Sequence, residues 1–495
     1  MSAHIQTVNR YLPLQPTTYK LIEYSIVKAE ENSLFVLHQP YYFDQVDHLL
    51  QNGSQWYEVF REHYQSWYLE DGQEEYLAWQ PAMGYHSADI ATDYSSISED
   101  SSSLSSQNST LLKSDGMLAF GPVTIVNSFR LDRTLKADPD FHGDTYEWIM
   151  GYFDEAYLSA RITSHFDMFL GRISRNWGVI NEPGLLLSNN PYAFDHFGCS
   201  ATGKRLKYSF YITRLNTIDG IDVQGEVIPE GETITSNRFW ASQRLDIRWT
   251  PTFQMSFAEA NIYGGPDQTW EAGYMNPVQF FYSTQRNQGI QSNTLWQIST
   301  WWQPRPGFTV AVDLLADDLI VNNNEDSDDR QRYPDRLGVL AKLSAADVFH
   351  PGTLLGLRYA RIWNETYTSY RTFENYVYFE KGMGFPVNSF EGLKGSLTWL
   401  GTAPWILHSE IEVWQRGDNN LHDPFIDDIN RFPLDPVTHG VTGQFSVSAL
   451  TYHGFEAEAI WGLQITDDGF STISWNSPSD HYFSVQILYR FHIGI

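Results

Sequence analysis

The chain has 495 residues and a single cysteine, Cys199. One thiol excludes a disulfide framework and a Cys-rich zinc site. Basic residues are also scarce, 32 Lys and Arg against 60 Asp and Glu, for a formal net charge of -28. That balance argues against nucleic acid as a partner, because phosphate recognition needs a basic footprint. Long apolar runs are missing: a membrane-crossing helix needs roughly 18 or more consecutive apolar residues. A strand-built membrane protein survives this test, since its signal is alternation and its mean hydropathy is low. Residues 1–35 lack the basic stretch followed by an apolar run of about 7–15 residues that marks an export signal. The expectation is then a cytoplasmic chain or one whose export signal has been removed. Signatures of chemistry are absent as well. There is no G-x-S-x-G, no HExxH and no phosphate loop. His408-Ser409-Glu410 has the H-x-E of a zinc deaminase, but one cysteine cannot complete that site. No carboxylate pair stands out for glycoside hydrolysis. The reading is a non-enzyme with no metal site and no cofactor.

Aromatic residues are abundant: 17 Trp, 29 Tyr and 30 Phe, 15% of the chain. Composition divides the sequence into three. Residues 1–94 form an N-terminal segment in which Phe43, Val46, Leu49, Leu50, Trp56, Val59 and Phe60 recur at helical spacing, predicting a helix around Tyr42–Tyr64. Residues 95–116 read as a Ser-rich linker or loop, with nine Ser among the fifteen residues 95–109. From Met117 to Ile495 the period is two.

In RLDIRWT, Leu245, Ile247 and Trp249 oppose Arg244, Asp246, Arg248 and Thr250. Phe308, Val310, Val312 and Leu314 oppose Thr309, Ala311, Asp313 and Leu315. Leu407, Ile411 and Val413 oppose His408, Glu410, Glu412 and Trp414; Phe455 and Trp461 oppose Glu456 and Glu458. Side chains on a strand alternate faces, so each segment has one apolar and one polar face. Many segments reach the roughly 9–11 residues of a tilted bilayer-spanning strand, against about 5–6 in soluble sheets. Trp residues near segment ends fit an interfacial girdle, where an apolar ring keeps one wet edge. Long polar stretches such as 218–237 and 322–335 alternate with tight turns such as 250–253 and 303–308. The last segment, His481–Ile495, alternates to its end and resembles the C-terminal insertion signal of outer-membrane barrels. The fold class is all-β: a transmembrane antiparallel β-barrel of about 16–18 strands, residues 117–495, with a small N-terminal helical element on the periplasmic side.

A family resemblance rests on FLGRISRNWGVINEPGLLLSNN (169–190) after Glu155-Ala156-Tyr157. It is supported by RLDIRWTP with Phe257-Ala258-Glu259-Ala260, Ile262-Tyr263-Gly264 and Gly273-Tyr274-Met275-Asn276-Pro277, and by Leu314–Asp318 after Arg305-Pro306-Gly307. In order and spacing these resemble the capsule assembly family of the Wzi type. The resemblance implies a barrel of about eighteen strands in the bacterial outer membrane that binds or anchors surface or capsular polysaccharide. The implied partners are that glycan, outer-membrane lipid and lipopolysaccharide, and the barrel-insertion machinery through the C-terminal strand. The alternative is a general porin for small solutes. With a net charge of -28, a neutral glycan or one bridged by divalent cations is expected over a polyanion.

The candidate glycan-binding residues are Arg172, Trp177, Asn189, Asn190, Glu259, Tyr263 and Asn276. Trp177 would stack on a sugar and Arg172 would make charge-assisted bonds. The competing reading has Arg172 paired with an acid and Trp177 filling the turn. Asn189 and Asn190 could bond sugar hydroxyls or simply make a turn. Loop tyrosines Tyr367, Tyr370 and Tyr376 are further stacking candidates. Arg244, Asp246, Arg248, Asp313, Glu410, Glu412, Glu456, Glu458 and Arg490 fall on polar strand faces and predict a lumen charge network of mixed sign. The acidic run Asn324–Asp329 lacks the spacing of a calcium loop and reads as solvated.

Overall fold

The computed structural model describes residues 6–51, 55–69, 75–88, 107–138, 140–144, 150–220, 234–318, 336–423, 432–452, 454–467, 479–491 and 493–494. Three helices come first: α1 (Pro16–Lys28), α2 (Phe43–Leu50) and α3 (Gln55–His63). The helical periodicity is therefore real but belongs to two helices, and α1 is additional.

Strands follow, each hydrogen-bonded antiparallel to the next. They are β1 (Glu75–Ala88), β2 (Gln107–Phe120), β3 (Val123–Leu131), β4 (Gly151–Thr163), β5 (Phe166–Arg172) and β6 (Asp195–Thr202). Next come β7 (Leu206–Arg214), β8 (Ile234–Thr250), β9 (Phe253–Gly265), β10 (Ser292–Arg305), β11 (Phe308–Asp318) and β12 (Arg336–Ala346). The last are β13 (Thr353–Ile362), β14 (Phe390–Thr402), β15 (Trp405–Gly417), β16 (Val437–Tyr452), β17 (Phe455–Thr466) and β18 (Ser479–Arg490). β18 pairs with β1, Arg490 opposite Ala82 and Ser484 opposite Ala88, and Ile493-Gly494 continues the ladder against Trp79 and Ala78. The described strands thus close an 18-stranded barrel. Closure leaves no edge, which is what a sheet in hydrocarbon requires.

The barrel begins earlier than composition suggests. Residues 75–88 and 107–116 are barrel strand, paired Ala88 to Gln107 through Glu75 to Phe120, where an N-terminal segment and a linker were expected. Pro81 and Gly84 interrupt the β1 pattern and Ser residues dilute that of β2. Residues 95–106 lie outside the described residues.

Connections alternate in length. Turns such as 121–122, 251–252, 306–307 and 403–404 are tight, while 132–150, 173–194, 266–291 and 363–389 are long. All the long ones gather at one end, the outer end of such barrels. The outward face is apolar. Leu118, Leu170, Phe257, Ile298, Leu314, Leu357, Leu397, Ile411 and Ile487 are all exposed there. At the tight-turn end, Trp79, Phe120, Trp249, Trp302, Trp405 and Phe455 form an aromatic girdle. Trp301, beside Trp302, has the opposite parity and is buried in the lumen, as is Trp414 towards the outer end. An exposed apolar belt with such a girdle is a lipid-facing surface; the chain is a membrane-spanning β-barrel of the outer-membrane type. Leu314→Arg, near mid-belt, is expected to cost about 2–4 kcal/mol, read as a lower urea midpoint for folding into lipid vesicles.

Candidate functional site

The lumen is filled from both ends. From the tight-turn end comes the N-terminal segment. The Trp56 indole N–H donates to the Leu400 carbonyl (2.8 Å), Lys28 pairs with Asp347 (2.8 Å), and the Gly307 N–H donates to the Val27 carbonyl (2.7 Å). Those partners are strand ends and turns, so the segment is a plug fastened to the rim. Arg10 is its central cation. It pairs with Asp115 (2.9 Å) and Glu155 (2.8 Å) and lies 4.0 Å over the Trp67 ring. A buried guanidinium needs such partners to offset its lost hydration. Asp115 comes from β2, and a bulge in β4 supplies Glu155: Ser128 pairs with Glu155 and Phe129 with Phe153, so Asp154 is the extra residue. Asp154 and Glu155 therefore both reach the lumen side, Asp154 to Arg130 (3.1 Å).

From the outer end, 173–194 and 363–389 fold inward. Leu185, Leu186 and Leu187 are fully buried. The Tyr367 hydroxyl donates to the Leu185 carbonyl (2.6 Å), and Ser188 and Asn190 donate to the carbonyls of Gly384 (2.6 Å) and Gly382 (2.9 Å). Arg238 donates to three carbonyls of the second loop, Phe373 (2.9 Å), Asn375 (2.6 Å) and Val377 (2.9 Å). The inner and outer fillings meet where Gln39 and Asn176 exchange backbone hydrogen bonds. Their electrostatic junction is Glu182, which faces Lys394 (2.8 Å), Arg358 (3.3 Å) and Lys342 (3.6 Å). Lys342 also pairs with Glu23 of α1 (2.9 Å), and Arg358 with Glu412 (2.8 Å). Burial alone would raise the Glu182 carboxyl, but the three cations more than offset it and hold it below the usual carboxylate range.

A cavity of about 1150 Å³ opens at the tight-turn end, between Tyr24, Lys28 and Trp56 of the plug and the turns at Pro251 and Gly352. Two smaller ones lie on either side of the 173–194 loop. One, of about 450 Å³, runs from Tyr192 and Lys381 down to Pro13 and Leu14 of the plug, past Lys113, Arg130 and Asp154. The other, of about 380 Å³, is lined by Lys20, Glu23, Glu182, Lys394, His408 and Glu410. Asn189 and Asn190 line both, so they form the ridge between them. Volumes of this size hold small ligands. An aromatic rim stands beside the larger of these two. Tyr152 and Tyr192 have ring centroids 5.1 Å apart, His142 stacks on Phe379 at 4.1 Å, and Lys381 lies 5.0 Å over the Tyr192 ring. Burial first, and Arg172 second, lower the His142 imidazole below its ordinary value, so this ring is uncharged near pH 7.

Three of the sequence candidates come together here. Arg172 lies at the rim, paired with Asp195 (2.8 Å) and 5.8 Å from the Tyr152 ring, and Asn189 and Asn190 form the ridge. The other four lie elsewhere. Trp177 is fully buried between His38 and Tyr211 (centroids 5.7 and 5.3 Å), because its loop turns into the lumen. Glu259 and Tyr263 share the outward parity of Phe257, are buried beneath the 266–291 connection, and touch neither cavity. Asn276 is exposed in that connection, its side chain accepting from the Val278 N–H (3.2 Å). Tyr367 and Tyr376 are buried too, while Tyr370 is exposed. Asn324–Asp329 lies outside the described residues.

The lumen charges all have inward parity, with differing partners. Arg244 pairs with Asp246 (2.8 Å), which also bonds His38 (2.9 Å); Arg490 pairs with Glu456 (2.8 Å). Glu410 meets Lys394 at 3.8 Å, and Glu458 is within electrostatic range of Lys20. Arg248 and Asp313 instead bond backbone: the Lys204 carbonyl (2.8 Å) and the Val179 N–H (3.3 Å). Glu182, Arg10, Tyr192 and Lys381 were not singled out from sequence. Each lies in a loop or plug segment without period, where no pattern announces direction.

Among solved structures the chain superposes on Wzi of Escherichia coli, described as an outer-membrane protein involved in group 1 capsule assembly and a carbohydrate-binding β-barrel. The TM-score is 0.62 over 98% of this chain and 99% of that one, at 11% identity. The fold is similar to that of Wzi. Two Pseudomonas aeruginosa barrels superpose more loosely. OpdO gives a TM-score of 0.47 at 10% identity over 85% of this chain and 98% of its own. OccD3 (OpdP) gives 0.46 at 9% identity over 86% and 92%. No family model and no curated protein matches the sequence.

Glu182→Ala should leave three buried cations short of a partner, at a cost of about 3–5 kcal/mol. The expected readout is a lower temperature for loss of the folded, fast-migrating form on unheated gels. Acid should act the same way in the parent protein. A depressed carboxyl adds stability above its unfolded value of 4.5, and that contribution is lost as pH falls through the lower folded value. Heat stability should therefore show a Glu182-dependent decline only below about pH 4.5.

Proposed function

We propose that this barrel binds surface polysaccharide at the cell exterior, as a binding protein and not as an enzyme. The observation that carries the reading is the outer basin. Two cavities flank the Asn189–Asn190 ridge, under a rim of Tyr152, Tyr192, His142 and Phe379. Carboxamides offer donors and acceptors to sugar hydroxyls, and ring faces suit the apolar face of a pyranose. A capsular or other exopolysaccharide is the partner this supports, and the carbohydrate binding described for Wzi lends it weight. The basin does not share the acidic balance of the whole chain, since Lys113, Arg130, Lys381 and Arg490 line its larger cavity against Asp115, Asp154 and Glu155. Outer-membrane lipid and lipopolysaccharide around the belt, and the insertion machinery at β18, complete the proposed partners.

The porin alternative calls for an open lumen, and the described lumen residues are tied to plug and loops instead. In planar bilayers the intact protein is expected to give no large unitary conductance. Regular open-channel steps would favour the porin. For binding, the parent protein should retain its own organism's exopolysaccharide in a pull-down. Tyr192→Ala and Asn190→Ala should each weaken retention by about 0.5–1.5 kcal/mol, roughly 2–10-fold, measured well below the unfolding temperature of each variant. Failure of the parent protein to hold any surface glycan would sink the reading.

A further inference from the structure

The connection between β9 and β10, residues 266–291, does not stand above the barrel. It holds α4 (Ala272–Met275) and α5 (Phe281–Gln288), and it lies against the outer wall. Parity shows this. Gln243, Glu259 and Trp296 are aligned across β8, β9 and β10 and share the outward face with exposed Trp249, Phe257 and Ile298. All three bond to one another or to the connection. Glu259 accepts from the backbone N–H groups of Phe281 (2.9 Å) and Tyr282 (3.0 Å), from the Trp296 indole (3.1 Å) and from Gln243 (2.8 Å). Gln243 in turn donates to the Gln279 carbonyl (2.9 Å). Tyr274 sits on Tyr263 (centroids 4.6 Å), sealing the upper part.

Depth decides what surrounds this element. Glu259 is six residues above Phe253 at the tight-turn end. At a rise of about 3.3 Å and a tilt of about 40°, that is about 15 Å along the axis, inside a belt about 25 Å tall. On β15 the belt still carries exposed Val413, eight residues above Trp405. A carboxylate at that height on the lipid face is costly unless covered and bonded. The cover is α5, whose first N–H groups are the unpaired donors of a helix start. The far side of the cover carries an apolar edge: Val278 is 84% and Phe280 70% exposed, with Trp270, Met275 and Tyr282 exposed nearby, while the exposed polar residues Arg286, Asn287 and Gln288 gather at the C-terminal end of α5.

We propose that residues 266–291 are a lipid-embedded element. Its Val278–Phe280 edge inserts among the acyl chains of the outer leaflet, while Glu259 holds it to the barrel wall. The apolar edge continues the lipid-facing belt sideways, which fixes hydrocarbon as its occupant. This inference rests on the membrane placement of the barrel and is independent of glycan binding.

The single cysteine makes the test direct. In a Cys199→Ala background, nitroxide is attached to Val278→Cys and to Phe280→Cys, with Phe257→Cys as belt control and Asn420→Cys as outer-loop control. The full chain is reconstituted in dilauroylphosphatidylcholine vesicles. Collision rates with oxygen and with a water-soluble nickel chelate are then measured. The expected oxygen-to-nickel ratio at positions 278 and 280 matches position 257 and exceeds position 420 several-fold. A ratio equal to that at 420 overturns the proposal. So does spin–spin broadening that disappears on dilution with unlabelled protein, because the occupant would then be a second copy. Both labelled side chains are largely exposed, so the substitutions leave folding intact.

Discussion

Charge on the inward face is the constraint from which the rest of this barrel follows. A strand that shows lipid one face must turn the other to the lumen, and here that face carries Arg244, Asp246, Lys342, Arg358, Glu412 and Glu456. Such groups need water or counter-charges. The chain supplies counter-charges from segments that are not strands. Glu182 comes from an outer loop to three wall cations, and Arg10 comes from the plug to two wall acids. Each is a single residue satisfying several partners on different strands. Wall, loop and plug therefore form one electrostatic unit, and the cavities are the space left where that fit is incomplete.

The period of two carried a great deal of this in the sequence. It assigned Leu245 and Trp249 to lipid and Arg244 and Asp246 to the lumen, and the structure places them so. It failed where another demand overrode it. Pro81 and Gly84 break the pattern of β1, and the second break is forced by the seam. A Cβ at Gly84 would come within 2.0 Å of the Ile487 carbonyl oxygen. The helix α1 escaped notice because it is surrounded: Thr18, Lys20 and Glu23 are buried along with Leu21 and Ile22, so there is no polar stripe to contrast with an apolar one.

The candidate site was legible only where residue type matched direction. Asn189 and Asn190 were read as polar loop tips and do face the cavities. Of the two readings of Trp177, sugar stacking and packing of the turn, the structure gives the packed one, because the loop that carries it turns inward and nothing local encodes that turn. Glu259 illustrates the opposite case. The sequence motif places it among the glycan contacts, whereas the strand turns it outward with Phe257, and a lipid-facing carboxylate is satisfied there by the backbone N–H groups of Phe281 and Tyr282. Loops without period obey long-range partners, and those partners are 100 or more residues away for Arg10 and Glu182.

The seam between β1 and β18 has a consequence for assembly. It joins strands from opposite ends of the sequence, and its lumen side is occupied: Arg490 of β18 and Glu456 of β17 share an ion pair that also reaches His63 of α3 (3.2 Å). The polypeptide that fills the lumen is thus part of the lining at the joint itself. Closing the cylinder and filling it are therefore coupled in energy: the joint gains its full set of partners only once the helical segment is in place, whether that segment lies in the open sheet beforehand or enters through the tight-turn end afterwards.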